Sequence, residues 1–82
     1  MKKIKVKYRK LGKEKADGLA HIDSRTIEID ERLKGKRALG ALLHECIHHS
    51  CPTAAEEEVS RIENEIAPIL WREMKKHPER YR

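Results

Sequence analysis

Phenylalanine is absent from this chain, and one tryptophan and two tyrosines are its only aromatic residues. Any core must therefore be mainly aliphatic, built from the Ile, Leu and Val that recur with clear periodicity. Two cysteines are too few for a disulfide framework, so free thiols in a reducing compartment are expected. No apolar run approaches the roughly 20 residues of a bilayer-spanning helix, and the basic N-terminus leads into no signal-type apolar segment. The expectation is a soluble, cytoplasmic protein with no membrane partner. Internal repeats and low-complexity segments are missing as well. The 82 residues leave room for one domain and no second core. A chain this short buries only about 60% of its unfolded surface, which leaves a thin stability margin.

What the chain has in quantity is charge: 40% of its residues, against 38% apolar. The net charge of +5 conceals a partition. Residues 1–15 carry eight Lys/Arg against one acid, residues 16–71 carry six against eleven, and residues 72–82 carry five against two. Basic ends thus flank an acidic middle. A basic arm can serve nucleic acid or an acidic partner. Here, however, the lysines alternate with Ile4, Val6 and Tyr8, the pattern of an edge strand whose wet face is lysine-rich and resists aggregation.

Residues 3–9 alternate with period two and predict a strand with one dry face. Lys10 to Gly18 reads as a polar connection. Leu19 to Asp23 and Thr26 to Asp30 are two further short strands, with Ser24 and Arg25 between them at hairpin spacing. Leu33 closes a turn that Gly35 ends. From Lys36 the period changes: Leu39, Leu42, Leu43, Cys46 and Ile47 fall on one face of an amphipathic helix over 36–50, with Cys46 a small core residue. Thr53-Ala-Ala-Glu56 has the form of a capping box, with Thr53 as N-cap, and opens a second helix over 53–76. Val59, Ile62, Ile66, Ile69 and Leu70 are its apolar positions, Trp71 is a core or interface anchor, and Pro68 should kink it. The tail from Lys75 lacks apolar periodicity and should fray. The fold class that follows is α+β: a small three-stranded N-terminal sheet packed on two helices.

One segment carries chemistry. His44-Glu45-Cys46-Ile47-His48 is an HExxH motif on the first helix. Residues four apart stand one turn apart on the same face, so two imidazoles can converge on one metal ion. Glu45 is rotated about 100° from His44 and can act as general base toward a metal-activated water without ligating the metal. Both histidines lie more than 90° from the centre of the apolar stripe, near Gly40 and Ala41. The stripe would then pack on the sheet while the histidines face a cleft.

A catalytic zinc usually takes three protein ligands and a water. Glu56, Glu57 and Glu58 begin the second helix only eight to ten residues after His48. Counted at 100° per residue, Glu57 points nearly opposite the apolar face, while Glu56 and Glu58 flank it. Glu56 is favoured and Glu58 second, although the capping box also claims Glu56. His49, Cys51 and His21 are further ligand candidates. His49 also reads as an exposed helix-end residue, Arg61 as a salt-bridge partner of Glu57 and Glu58, and His77 as solvated.

In the order of its elements the chain resembles small zincin-type metallopeptidases. The elements are a strand, Asp17-Gly-Leu-Ala20, Thr26-Ile-Glu-Ile-Asp30, a Leu-Lys-Gly turn, the HExxH helix and an acidic second helix. It is most similar to minimal gluzincin-like proteins of phages and bacteria, and distantly to ImmA/IrrE and SprT-like proteases. The likeness covers roughly residues 3 to 72, and HExxH is its only specific motif. It implies Zn2+ at His44 and His48, Glu56 as third ligand, Glu45 as general base, and a peptide or protein substrate. It also implies that the strand from Thr26 to Asp30 lies beside the active-site helix and pairs with an extended substrate. No residue is fixed by motif to stabilise the oxyanion; His21, Arg61 and Tyr81 are the candidates.

Two other functions remain open at this point. One is a zinc-binding domain of the same fold without catalysis, its metal stabilising a marginal core. The other is a nucleic-acid module using Lys3, Lys5 and Lys7, whose binding would weaken with salt. A structural zinc knot from Cys46, His49 and Cys51 is a weaker variant, because Cys46 belongs to the stripe.

Overall fold

The computed structural model describes residues 3–12 and 16–81. Three strands precede two helices: β1 (Lys5–Arg9), β2 (Gly18–His21), β3 (Thr26–Asp30), α1 (Gly35–Ser50) and α2 (Glu56–Lys76). This is the expected α+β architecture. The sheet order is β1-β3-β2, with β1 parallel and β2 antiparallel to β3. Among the described residues no helix is long and apolar enough to cross a membrane.

β3 is the centre of the sheet because it pairs with both other strands and carries an isoleucine at each inward position. Ile27 and Ile29 point to the helices and are fully buried, and they form the core with Ala41 of α1. Ile4, Leu33 and Leu42 close around them. The central position of β3 corrects the substrate-pairing role that the resemblance implies for Thr26 to Asp30. Both of its edges are already hydrogen-bonded, and the edge strand that lies against α1 is β2.

Several boundaries and packing expectations are corrected. β2 begins at Gly18 and ends at His21, and residues 22–25 form a turn longer than a two-residue hairpin, with Arg25 at φ 51°. β1 begins at Lys5 rather than Lys3 and has no dry face: all five residues are exposed, because this edge strand packs on β3 and on neither helix to any extent, while Ile4 just before it packs on the core. The connection from Lys10 is not wholly polar, since Leu11 is completely buried; residues 13–15 of that connection lie outside those described. Gly35 starts α1 rather than ending a turn, at φ +59°, and any side chain on it would press on Trp71.

The helices owe their stability to different causes. α1 has no side-chain cap and no acid in its first turn, so it depends on packing. Its buried positions are Gly40, Ala41 and Glu45, and the expected stripe is only partly covered, with Cys46 exposed. Small residues are buried because α1 is squeezed between the sheet and α2. α2 is matched to its dipole, with Glu56, Glu57 and Glu58 in the first turn and Lys75 and Lys76 in the last. Its N-cap lies two residues later than the capping box predicts. Ala55 is the N-cap and offers no side-chain acceptor, so no side chain caps the helix, and the Glu56 carboxylate is turned to His44. It also continues through Pro68 without interruption.

On the outer face of the sheet Glu28 lies between Arg9 and His21, and its carboxylate accepts from both. The Arg9 hydrogen bond, then that of His21, pulls the Glu28 pKa from 4.5 down to about 2. A carboxyl group with a depressed folded pKa stabilises the fold above its unfolded pKa and loses that contribution as pH falls. The expected result is that the excess stability of the wild type over Glu28→Gln is constant above pH 4.5 and fades toward pH 2. Unfolding midpoints measured across that range check it; a gap that stays constant to pH 2 would contradict it.

Candidate metal centre

α1 places His44 and His48 one turn apart, with ring centroids 5.0 Å apart and planes inclined at 64°. The short link after α1 returns the chain so that the first residue of α2 meets them. One carboxylate joins both rings: Oε1 of Glu56 lies 2.5 Å from Nε2 of His44, and Oε2 lies 2.9 Å from Nε2 of His48. The three side chains offer ligand atoms that all lie within 4.8 Å of one another, and the group could hold a metal ion. Two imidazole nitrogens and a carboxylate are a donor set that suits a borderline divalent cation. The capping role read for Glu56 is not realised: its carboxylate faces the histidines and caps nothing.

His44 is gripped from its other side. Its Nδ1 is 2.8 Å from Oε1 of Glu63, two turns along α2 from Glu56. Burial opposes protonation of His44, but the hydrogen bonds to Glu63 and Glu56 outweigh it and raise its pKa. A carboxylate on Nδ1 fixes the ring orientation and leaves Nε2 directed at the cluster. Gly40 makes room for this contact, because a Cβ there would lie 2.7 Å from Oε2 of Glu63.

Glu45 is 7% exposed and lies against β2. Burial lifts its carboxyl above the ordinary value, while the two histidines pull it down. Gly18 is what admits it: a Cβ at that position would stand 2.9 Å from Cγ of Glu45 and 3.2 Å from the Glu28 carbonyl oxygen. His44, Glu45 and Glu56 border two adjoining cavities, of about 330 and 460 Å³, and His48 borders the smaller of them.

The remaining candidates lie elsewhere. His21 contacts Glu28 on the outer face of the sheet, 2.8 Å away. Glu58 binds Arg61, which also reaches Glu65 at 2.6 Å; Glu57 is not its partner. Cys51 follows α1, where its amide donates to the Ile47 carbonyl at 2.7 Å. The Cys46 thiol is held protonated by desolvation and then by Glu45, which makes it a poor ligand. His49 is not a free helix-end residue: its Nε2 reaches the Thr26 carbonyl at 3.2 Å, and its buried Nδ1 has no partner. Of the oxyanion candidates, none of His21, Arg61 and Tyr81 lines either cavity.

Sequence reasoning missed Glu63 and Gly18. The signal for Glu63 was its seven-residue spacing from Glu56, which puts both acids on one face of a helix. For Gly18 there was none beyond its residue type. No protein-family model matches this chain, no curated protein matches it, and no solved structure matches it.

Proposed function

We propose that this chain is a minimal zinc metallopeptidase of the zincin type, cutting peptide bonds in extended peptide or protein segments. One observation carries the reading. Nε2 of His44 and of His48 meet the two oxygens of one Glu56 carboxylate, and buried Glu45 shares a cavity with all three. The histidines and Glu56 would hold the ion, with zinc favoured by the mixed nitrogen and oxygen donors. Zinc, when bound, supplies Lewis acidity that polarises a carbonyl and lowers the pKa of water.

The chain's own residues do the rest. Glu45 takes a proton on its carboxylate from the attacking water, whose oxygen joins the carbonyl carbon. The C–N bond then breaks, and Glu45 returns the proton to the departing amine. Burial against Gly18 keeps Glu45 in one place and raises its basicity, which suits this exchange. Glu63 holds His44 in orientation.

The test is metal content by mass spectrometry on protein purified without an affinity metal, beside Glu56→Ala. The wild type should carry about one zinc per chain, as a three-ligand site would, and the variant should lose or weaken it. A wild type that holds no metal even after zinc is offered would reduce HExxH to a polar helix face and end this reading.

A further inference from the structure

The two cavities meet at His44, Glu45 and Glu56, and Gly18 borders both, so they form the two ends of one cleft along β2. Their far walls differ in chemistry. One end is bounded by Ala20, Ile22 and Pro52 beside His48. The other is bounded by Asp17, Arg37 and Glu63. Ile22 is 42% exposed where the chain leaves β2, a large aliphatic side chain with open surface at the cleft mouth. The apolar end therefore lies on the His48 side of the cluster and the charged end on the opposite side.

Strand geometry says how a ligand would lie there. The Asp30 amide donates to the Asp17 carbonyl at 2.9 Å, and these two residues continue the antiparallel register of β2 and β3. Alternation then turns the backbone groups of Leu19 and His21 toward β3 and leaves those of Gly18 and Ala20 on the outer edge. Gly18 stands against Glu45 at the centre of the cleft and Ala20 lies toward the Ile22 end, so the outward groups run from the centre to the apolar end. Antiparallel addition gives the straighter hydrogen bonds. A segment bound in that sense runs against β2 and enters at the Ile22 end.

We infer that the cleft selects an extended peptide segment carrying an aliphatic side chain at the Ile22–Pro52 end. This rests on the peptidase reading of the same site. In the antiparallel direction that side chain lies on the amino-terminal side of the bond that is cut. Its burial against Ala20, Ile22 and Pro52 supplies the discrimination, and an acidic side chain there loses its water and meets no Lys or Arg among the described residues that line that end.

The experiment uses the zinc-loaded full chain with Glu45→Gln and two short unstructured peptides identical except that one Leu is replaced by Asp. Anisotropy titrations should show the Leu peptide bound on the order of tenfold tighter, the effect of burying one aliphatic side chain. Ile22→Asp in the same background should erase the preference with zinc content unchanged. Equal affinities, or a preference that survives Ile22→Asp, would overturn the inference. If the wild-type chain leaves uncut the Leu peptide that the Glu45→Gln chain prefers, hydrolysis falls while the subsite stands. Cleavage that leaves Leu in the carboxy-terminal product would overturn the antiparallel direction.

Discussion

Glu45→Gln is expected to cut peptide hydrolysis by about 10²- to 10⁴-fold, the usual worth of a positioned general base, and to keep the metal. Glutamine preserves the shape that fits against Gly18, so the cleft and the cluster survive the exchange. What is lost is the ability to accept a proton. Glu45 is not among the three residues whose ligand atoms converge, so its neutralisation leaves the donor set whole. His44→Ala should behave differently and lose metal and hydrolysis together, since Nε2 of His44 faces Glu56. The assay is turnover of a fluorogenic unstructured peptide alongside zinc content. Undiminished turnover in Glu45→Gln would place the base elsewhere.

Metal removal should have the largest effect on stability. At roughly 0.05–0.15 kcal/mol per residue, a domain of this size has about 4–12 kcal/mol in total. A ligand present at about a thousandfold over its dissociation constant adds about 4 kcal/mol. Chelation therefore removes a large share of the whole. With about 4–8 °C of midpoint per kcal/mol in so small a domain, the thermal midpoint should fall by on the order of 15 °C or more. It should climb again with free zinc, as mass action requires. His44→Ala should melt at the same temperature with or without chelator, and Glu56→Ala should shift less than the wild type. Coincident wild-type curves in chelator and in zinc would show that the cluster contributes nothing to the fold.

The sheet-then-helices order was legible because β3 and α1 obey different periods. Ile27 and Ile29 alternate, and from Leu39 the apolar spacing changes to three and four. That an acid at the start of α2 would meet His44 and His48 could be argued from angles, because it depends on two helices and a short link, but the angles left both Glu56 and Glu58 in reach. The sequence misled where burial is decided by what lies opposite. The Leu39–Ile47 stripe reads as the core face, yet Ala41 and Gly40 are the better buried, since close approach of a sheet and a helix selects small side chains. Thr53 reads as a cap, but the helix begins past it, with Ala55 at the N-cap and the Glu56 carboxylate turned to the histidines. Strand order was also out of reach, because nothing in residues 5–9 reveals that β1 pairs with β3 rather than with β2.

The three convergent side chains come from a stretch in which the outermost pair is separated by 12 positions, all within the α1–α2 hairpin. The burial of Glu45, by contrast, depends on Gly18, far earlier in the chain. The two parts of the centre therefore sit on opposite sides of a difference in contact order, and local contacts form fastest. During folding with zinc present, the helical hairpin can capture the ion as soon as it closes, and β2 docks afterwards. In the proposed metal-bound chain the ion would act as an early clasp on the slower half of the molecule. A chain caught between these steps would be loaded but inert, so metal occupancy would rise ahead of catalysis in a refolding time course.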